Sequence, residues 1–147
     1  LGDGSEAQIM ASHKMADELG LEKICKWHGS IPQNEVFKIM RESDIFFFSS
    51  LEEGTPHVVL EAIQNSLPVI CFDNCGHGDS VDETIGKKIK VTNPEQSILE
   101  FSKIIDYFYH NRDELEKLAG NCQKKQKELS WDSKIKEMLT VYEKVLS

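Results

Sequence analysis

Hydrophobic positions along the chain switch repeatedly between a helical and an extended period. From Glu6 to Leu19, the residues Ile9, Met10, His13, Ala16 and Leu19 recur at three- and four-residue spacing, which predicts a helix stopped by Gly20. Ile24 to His28 reads as a short strand ended by Gly29. Asn34 to Arg41 predicts a second helix, with Val36, Phe37 and Met40 facing inward. Ile45-Phe46-Phe47-Phe48 is apolar without alternation, as expected of a strand buried on both faces of a parallel sheet, and Leu67 to Phe72 is a second such run. Between them His57 to Asn65 predicts a short, nearly all-apolar helix, and Lys88 to Val91 a polar strand suited to a sheet edge. After Pro94 three helices are predicted, over 94–111, 113–129 and 131–146, with Phe101, Ile105, Phe108 and Tyr109 as core positions and Trp131 as a packing anchor. Strand and helix alternate in the way that right-handed βαβ crossovers require. The expected fold is α/β, a three-layer, doubly wound (Rossmann-like) parallel sheet.

Composition narrows this picture. The chain has 147 residues, the size of one domain, and its 39% hydrophobic and 29% charged residues exclude disordered and fibrous classes. The net charge of −8 argues against nucleic acid or an anionic bilayer as a main partner. It is unevenly placed: residues 1–74 hold 5 Lys and Arg against 12 Asp and Glu, whereas residues 75–147 hold 12 against 13. Cys25, Cys71, Cys75 and Cys122 are scattered, so neither a disulfide framework nor a zinc knuckle is indicated, and a reducing, cytoplasmic setting is expected. The run Lys124-Lys125-Lys127, with Lys134 and Lys136, is interspersed with Glu128, Asp132 and Glu137, which makes it a solvated helical face.

Candidate chemistry concentrates in residues 49–62, where the most apolar strand ends and a helix begins, the edge at which open α/β sheets bind ligands. Thr55 is a favourable N-cap, and Pro56 suits the first helical position. The amides of His57 and Val58 then lack helical partners and form an anion site, and Gly54 lets a phosphate approach the backbone without meeting a Cβ. Glu53 precedes this site, and Glu61 follows Pro56 by five residues, about 7–8 Å along a helix. Carboxylates accept hydroxyl hydrogen bonds, so the segment reads as sugar hydroxyls at Glu53, phosphates at residues 54–58 and ribose at Glu61. A Thr-Pro helix start is common without any ligand. What favours function is Glu61 itself, a carboxylate on an apolar helix between two buried strands.

Glu53-Gly54 followed by Glu61-Ala62, with Leu67-Pro68-Val69-Ile70 behind them, resembles the signature of family 4 retaining GT-B glycosyltransferases. The resemblance extends to Leu1-Gly2-Asp3-Gly4, Trp27-His28-Gly29, Glu35 to Ser49, Asp82 to Gly86 and Ser130-Trp131, which covers most of the chain. It implies the C-terminal, donor-binding domain of such an enzyme, with residues 1–147 forming the nucleotide-sugar-binding domain and 94–147 a helical extension. By the same likeness Glu53 contacts the transferred sugar as the catalytic candidate, the 54–58 backbone (Gly54, Thr55, Pro56, His57, Val58) holds the diphosphate and Glu61 binds ribose. Gly29, Ser30 and Ile31 lie near the base. The implied reaction is transfer of a glycosyl group from a nucleotide diphosphate sugar with retained configuration, with no metal and no cofactor.

The family's strand order 3-2-1-4-5-6 implies that this chain carries strands three to six, with strand one, most of strand two, the basic phosphate grip and the N-terminal acceptor domain upstream of Leu1. The isolated piece is then expected to be inactive, any membrane contact to run through the absent domain, and a homo-oligomeric state stays open. Thr55-Pro56-His57 departs from the Gly-containing run common in the family, and His57 reads equally as a phosphate donor or an exposed helix-start residue. Ser66 stands where the family has Gly, which points to Asn65 for the left-handed turn. Cys75, His77 and Asp79 make a triplet without a fourth metal ligand and read as turn chemistry. A nucleotide-sugar epimerase on the same scaffold and a non-catalytic nucleotide-binding or interaction module are the competing readings.

Overall fold

A computed structural model describes residues 4–52, 54 and 56–146, and the chain divides into two compact units, residues 1–39 and 40–147. In the first, helix α1 (Glu6–Glu18) opens on a capping box. The Gln8 amide donates to Ser5 Oγ at 3.3 Å, and the Ser5 amide donates to Gln8 Oε1 at 2.9 Å, so orphan amides at the helix start are satisfied. It ends as predicted at Gly20, whose φ of +68° lets the Gly20 and Leu21 amides turn back to the carbonyls of Asp17 and Ala16. Residues 24–28 do not form the predicted strand. The Ile24 and Cys25 amides turn back to Leu21 O, both at 3.0 Å, and a strand exists only through a neighbour that shares its ladder. Helix α2 spans Gln33–Glu42.

The second unit is built on a parallel sheet of three strands among the described residues, β1 (Phe46–Phe48), β2 (Val69–Phe72) and β3 (Gly86–Ile89), in the order β1-β2-β3. Helix α3 (His57–Gln64) makes the first crossover, and a short helix α4 (Cys75–Ser80) occupies the second, where only a turn was expected. Central β2 is buried throughout. By contrast, β1 lies at an edge with Phe47 46% exposed, so the expectation of a strand buried on both faces fails there. The third strand starts two residues before its predicted position. Gly86 makes the pairing possible, because a Cβ there would sit 2.0 Å from Val69 O.

Alternate residues of β1 face opposite sides of the sheet. Phe47 meets Phe101 edge-on at 4.8 Å, whereas Phe48 meets His77 at 5.4 Å. On the Phe101 side, Ile70, Phe72 and Ile89 pack with Phe101, Phe108, Leu115 and Leu118 of helices α5 (Pro94–His110) and α6 (Arg112–Glu128). Ile105 and Tyr109 are exposed instead of joining this core. Helix α7 (Trp131–Leu146) touches α6 but buries none of its described residues, and Trp131, expected as an anchor, is 84% exposed at its start. No described helix is long and apolar enough to cross a membrane.

At the end of α3 the left-handed residue is Ser66, with φ +61°, and not Asn65. Asn65 stays right-handed because its side chain is engaged at both ends. It donates Nδ2 to Glu61 O at 2.8 Å and accepts from Arg41 at 2.9 Å. Ser66 then takes the turn position, and the Leu67 amide closes it on Ala62 O at 3.0 Å.

Candidate functional site

Parallel strands end on a common edge, so the segments after β1 and β2 emerge side by side. Two contacts tie them together. Asn74 Nδ2 donates to Leu51 O at 2.8 Å, and Gly76 lies so close to the first segment that a Cβ would stand 2.1 Å from Gly54 O and 3.1 Å from Pro56 Cδ. Between them opens a cleft of about 720 Å³, lined among the described residues by Glu52, Gly54, Asn74, Cys75, Gly76 and Asp79. That is the volume range of small-molecule sites, and the lining offers amide, carboxylate and backbone groups suited to a polar ligand.

Helix α3 starts beside this cleft, one residue later than predicted. Pro56 is the N-cap and not the first helical residue: its ψ of 80° is outside the helical range, while its carbonyl already accepts from Val59 N at 2.9 Å. The His57 and Val58 amides therefore precede the first intrahelical donor and carry the positive end of the helix. Pro56 is buried, His57 exposed, and Val58 and Glu61 half-buried; His57, Val58 and Glu61 do not line the cleft. Glu53 and Thr55 lie outside the described residues. Gly29, Ser30 and Ile31 belong to the first unit, the first two exposed and Ile31 half-buried, with Gly29 at φ +58°.

The second wall of the cleft is α4. Lys88 of β3 reaches across with its ammonium 2.8 Å from Asp73 Oδ1 and 2.7 Å from Gly78 O, and Gly78 packs against the Asp73 backbone where a Cβ would meet the carbonyl carbon at 3.1 Å. His77 is fully buried, and among the described residues both of its ring nitrogens lack a hydrogen-bond partner. Cys75 and Asp79 are exposed while His77 points into the protein, so the triplet is no ligand set; among the described residues no three His, Cys, Asp or Glu side chains converge on a metal position. Burial pushes the Cys71 thiol up to about 11, against the opposing pull of Lys88, so it is a packing group and not a nucleophile.

The sequence pointed to one wall of this site and missed the other. Glu52, Asn74, Cys75, Gly76 and Asp79 were not among the predicted binding residues. Glu52 lies in the segment already singled out, and the signal that locates the other four is a glycine-containing polar run, Asn74 to Asp79, directly after the most deeply buried strand, at the edge where the first segment was already placed.

Comparison with known proteins agrees with this architecture. The family model described as glycosyl transferases group 1 matches residues 2–128. The uncharacterized glycosyltransferase MJ1059 of Methanocaldococcus jannaschii is 38% identical over 80 residues, which are 54% of this chain and 16% of that protein. The Anabaena Alr3699/HepE crystal structure in complex with UDP-glucose superimposes with a TM-score of 0.77 at 21% identity, covering 95% of this chain and 39% of that one. The pneumococcal O-GlcNAc transferase GtfA in complex with UDP and GlcNAc gives 0.76 at 18% identity, covering 97% and 28%. The chain thus spans well under half the length of these relatives, and the α/β fold it shares with them is that of the C-terminal domain of a GT-B glycosyltransferase. A parallel sheet with a polar cleft at its carboxyl edge, matched over most of its length by one family, makes this chain a member of the group 1 glycosyl transferases.

Proposed function

We propose that this domain binds a nucleotide diphosphate sugar in the cleft between the Glu52–Pro56 segment and α4, and supplies the donor half of a family 4 enzyme that transfers the glycosyl group with retention. The observation that carries this reading is the cleft itself, polar, of about 720 Å³, and placed at the start of α3. The diphosphate extends from the Gly54 backbone in the cleft to the His57 and Val58 amides beside it, at the start of α3, and its negative charge grows as the glycosidic bond breaks; donors already in place stabilise that charge without reorganisation. Glu53 contacts the sugar and Glu61 the ribose. Glu52 and Asp79, which line the cleft, accept further hydroxyl hydrogen bonds. The proposed chemistry needs neither metal nor cofactor, takes place in the cytoplasm, and requires an acceptor domain. HepE and GtfA, the relatives whose structures hold UDP-glucose and UDP with GlcNAc, support the choice of donor class.

Calorimetry with UDP, GDP and their sugars tests the reading. Binding that falls by about tenfold or more in Glu61→Ala, the loss expected for a charge-assisted hydrogen bond, supports it. Failure to bind any nucleotide favours an interaction module instead, and rapid interconversion of donor sugars by the full-length protein favours an epimerase.

A further inference from the structure

Helix α4 is six residues long, far below the length at which a helix persists by itself, so its shape depends on what holds it. One neighbour works against it. His77 is 0% exposed, neither ring nitrogen is paired among the described residues, and its only described ring contact is a T-shaped one with Phe48 at 5.4 Å. A buried polar group without partners favours any rearrangement that returns it to water, which here means lifting α4 off the sheet. The opposing contact is Lys88, whose side chain is 22% exposed and whose ammonium bonds both Asp73 Oδ1, just after β2, and Gly78 O, in the last turn of α4. A cation on a carbonyl of the last turn satisfies an acceptor the helix cannot, and favours the negative end of its dipole. Lys88 itself does not line the cleft, whereas Cys75, Gly76 and Asp79 of α4 do.

We propose that Lys88 is a positioning residue that holds α4, the second wall of the cleft, in its docked state against the outward drive of the unpaired His77 imidazole. α4 is thereby a two-state wall, and ligand affinity depends on how much of the protein has it docked. The effect on affinity rests on the nucleotide-sugar reading of the cleft; the docking equilibrium does not.

Hydrogen exchange resolved along the whole chain tests the equilibrium, with UDP-glucose titration by calorimetry beside it. In Lys88→Met, which keeps the apolar stem, the Gly78 and Val81 amides, bonded to Asn74 O and His77 O, are expected to exchange about tenfold faster while β2 and α5 are unchanged. Asp73→Asn is expected to move them the same way and to add little in the double variant, because both residues act through one contact. Lys88→Arg is expected to retain protection. The decisive variant is Lys88→Met with His77→Leu: removing the unpaired nitrogens removes the drive to lift, so protection returns and UDP-glucose affinity, lowered about tenfold in Lys88→Met, recovers with it. Unchanged exchange over 75–81 in Lys88→Met, loss spread equally through β2 and α5, or no recovery in the double variant would each overturn the proposal. If the wild-type protein takes up no UDP-glucose, the nucleotide-sugar reading fails, and the exchange data still decide the docking equilibrium.

Discussion

Two strands of nearly equal apolarity meet opposite fates. Residues 45–48 and 67–72 both read as continuous hydrophobic runs, yet β2 is buried throughout and paired on both edges, while among the described residues β1 has a neighbour on one edge only and leaves Phe47 46% exposed. Position in the sheet, and not composition, sets how much water each strand loses. The same contrast runs through the cleft above them. The segment after β1 carries the motif on which the family resemblance rests, and among the described residues the segment after β2 carries most of the groups that line the cavity.

Core truncation is the strongest way to break this comparison. Ile70→Ala in β2 is expected to cost about 3 kcal/mol in urea unfolding, the usual price of a buried cavity, against about 1 kcal/mol for Phe47→Ala in β1. Equal losses would show that the β1 edge is as buried as the centre. Next in size is Gly76→Ala. Its new methyl group meets the Gly54 carbonyl at 2.1 Å and the Pro56 ring at 3.1 Å, so a stability loss of about 1–3 kcal/mol is expected together with loss of nucleotide-sugar binding. Retained affinity in a folded Gly76→Ala protein would separate the two walls. Ser66→Gly is expected to gain about 0.5–1 kcal/mol, since a left-handed residue with a Cβ is strained and glycine is not. A loss there would mean that the Ser66 side chain contributes more than the backbone costs.

The smallest effect concerns acid stability near β3. Hydrogen bonds from Thr84 chiefly, and from Lys125, hold the Asp82 carboxyl below the ordinary carboxylate value of 3.8. Its folded pKa is depressed, so its contribution is present above that ordinary value and is lost as pH falls through the folded one. Acid unfolding of Asp82→Asn followed below about pH 4 should therefore be slightly shallower than that of the wild type, and superimposable curves would remove Asp82 from the account.

Much of the helical architecture was legible beforehand. α1, α5, α6 and α7 begin and end within one residue of the predicted positions, because apolar spacing, Gly20 and Pro94 are local signals. Errors cluster where a distant neighbour decides. The segment 24–28 has strand-like residues and no ladder. Asn65, the better left-handed residue in isolation, is held right-handed by Arg41 from another helix. Candidate site residues divide the same way: Gly54 proved to border the cleft, whereas Gly76 and Asp79 could be placed there only once β2 had delivered α4 against Gly54.

By itself the sequence determined most of the helices, that the strands are parallel and joined by crossovers, and a likeness to GT-B glycosyltransferases that the group 1 family model bears out over residues 2–128, since helix bonds close within four residues and leave a local pattern. Only the tertiary structure decided which apolar run became the centre of the sheet, that Ser66 and not Asn65 turns the chain, and that Lys88 and His77 oppose each other across α4. Those outcomes depend on groups far apart in the chain, whose energies exist only once the strands that carry them have paired.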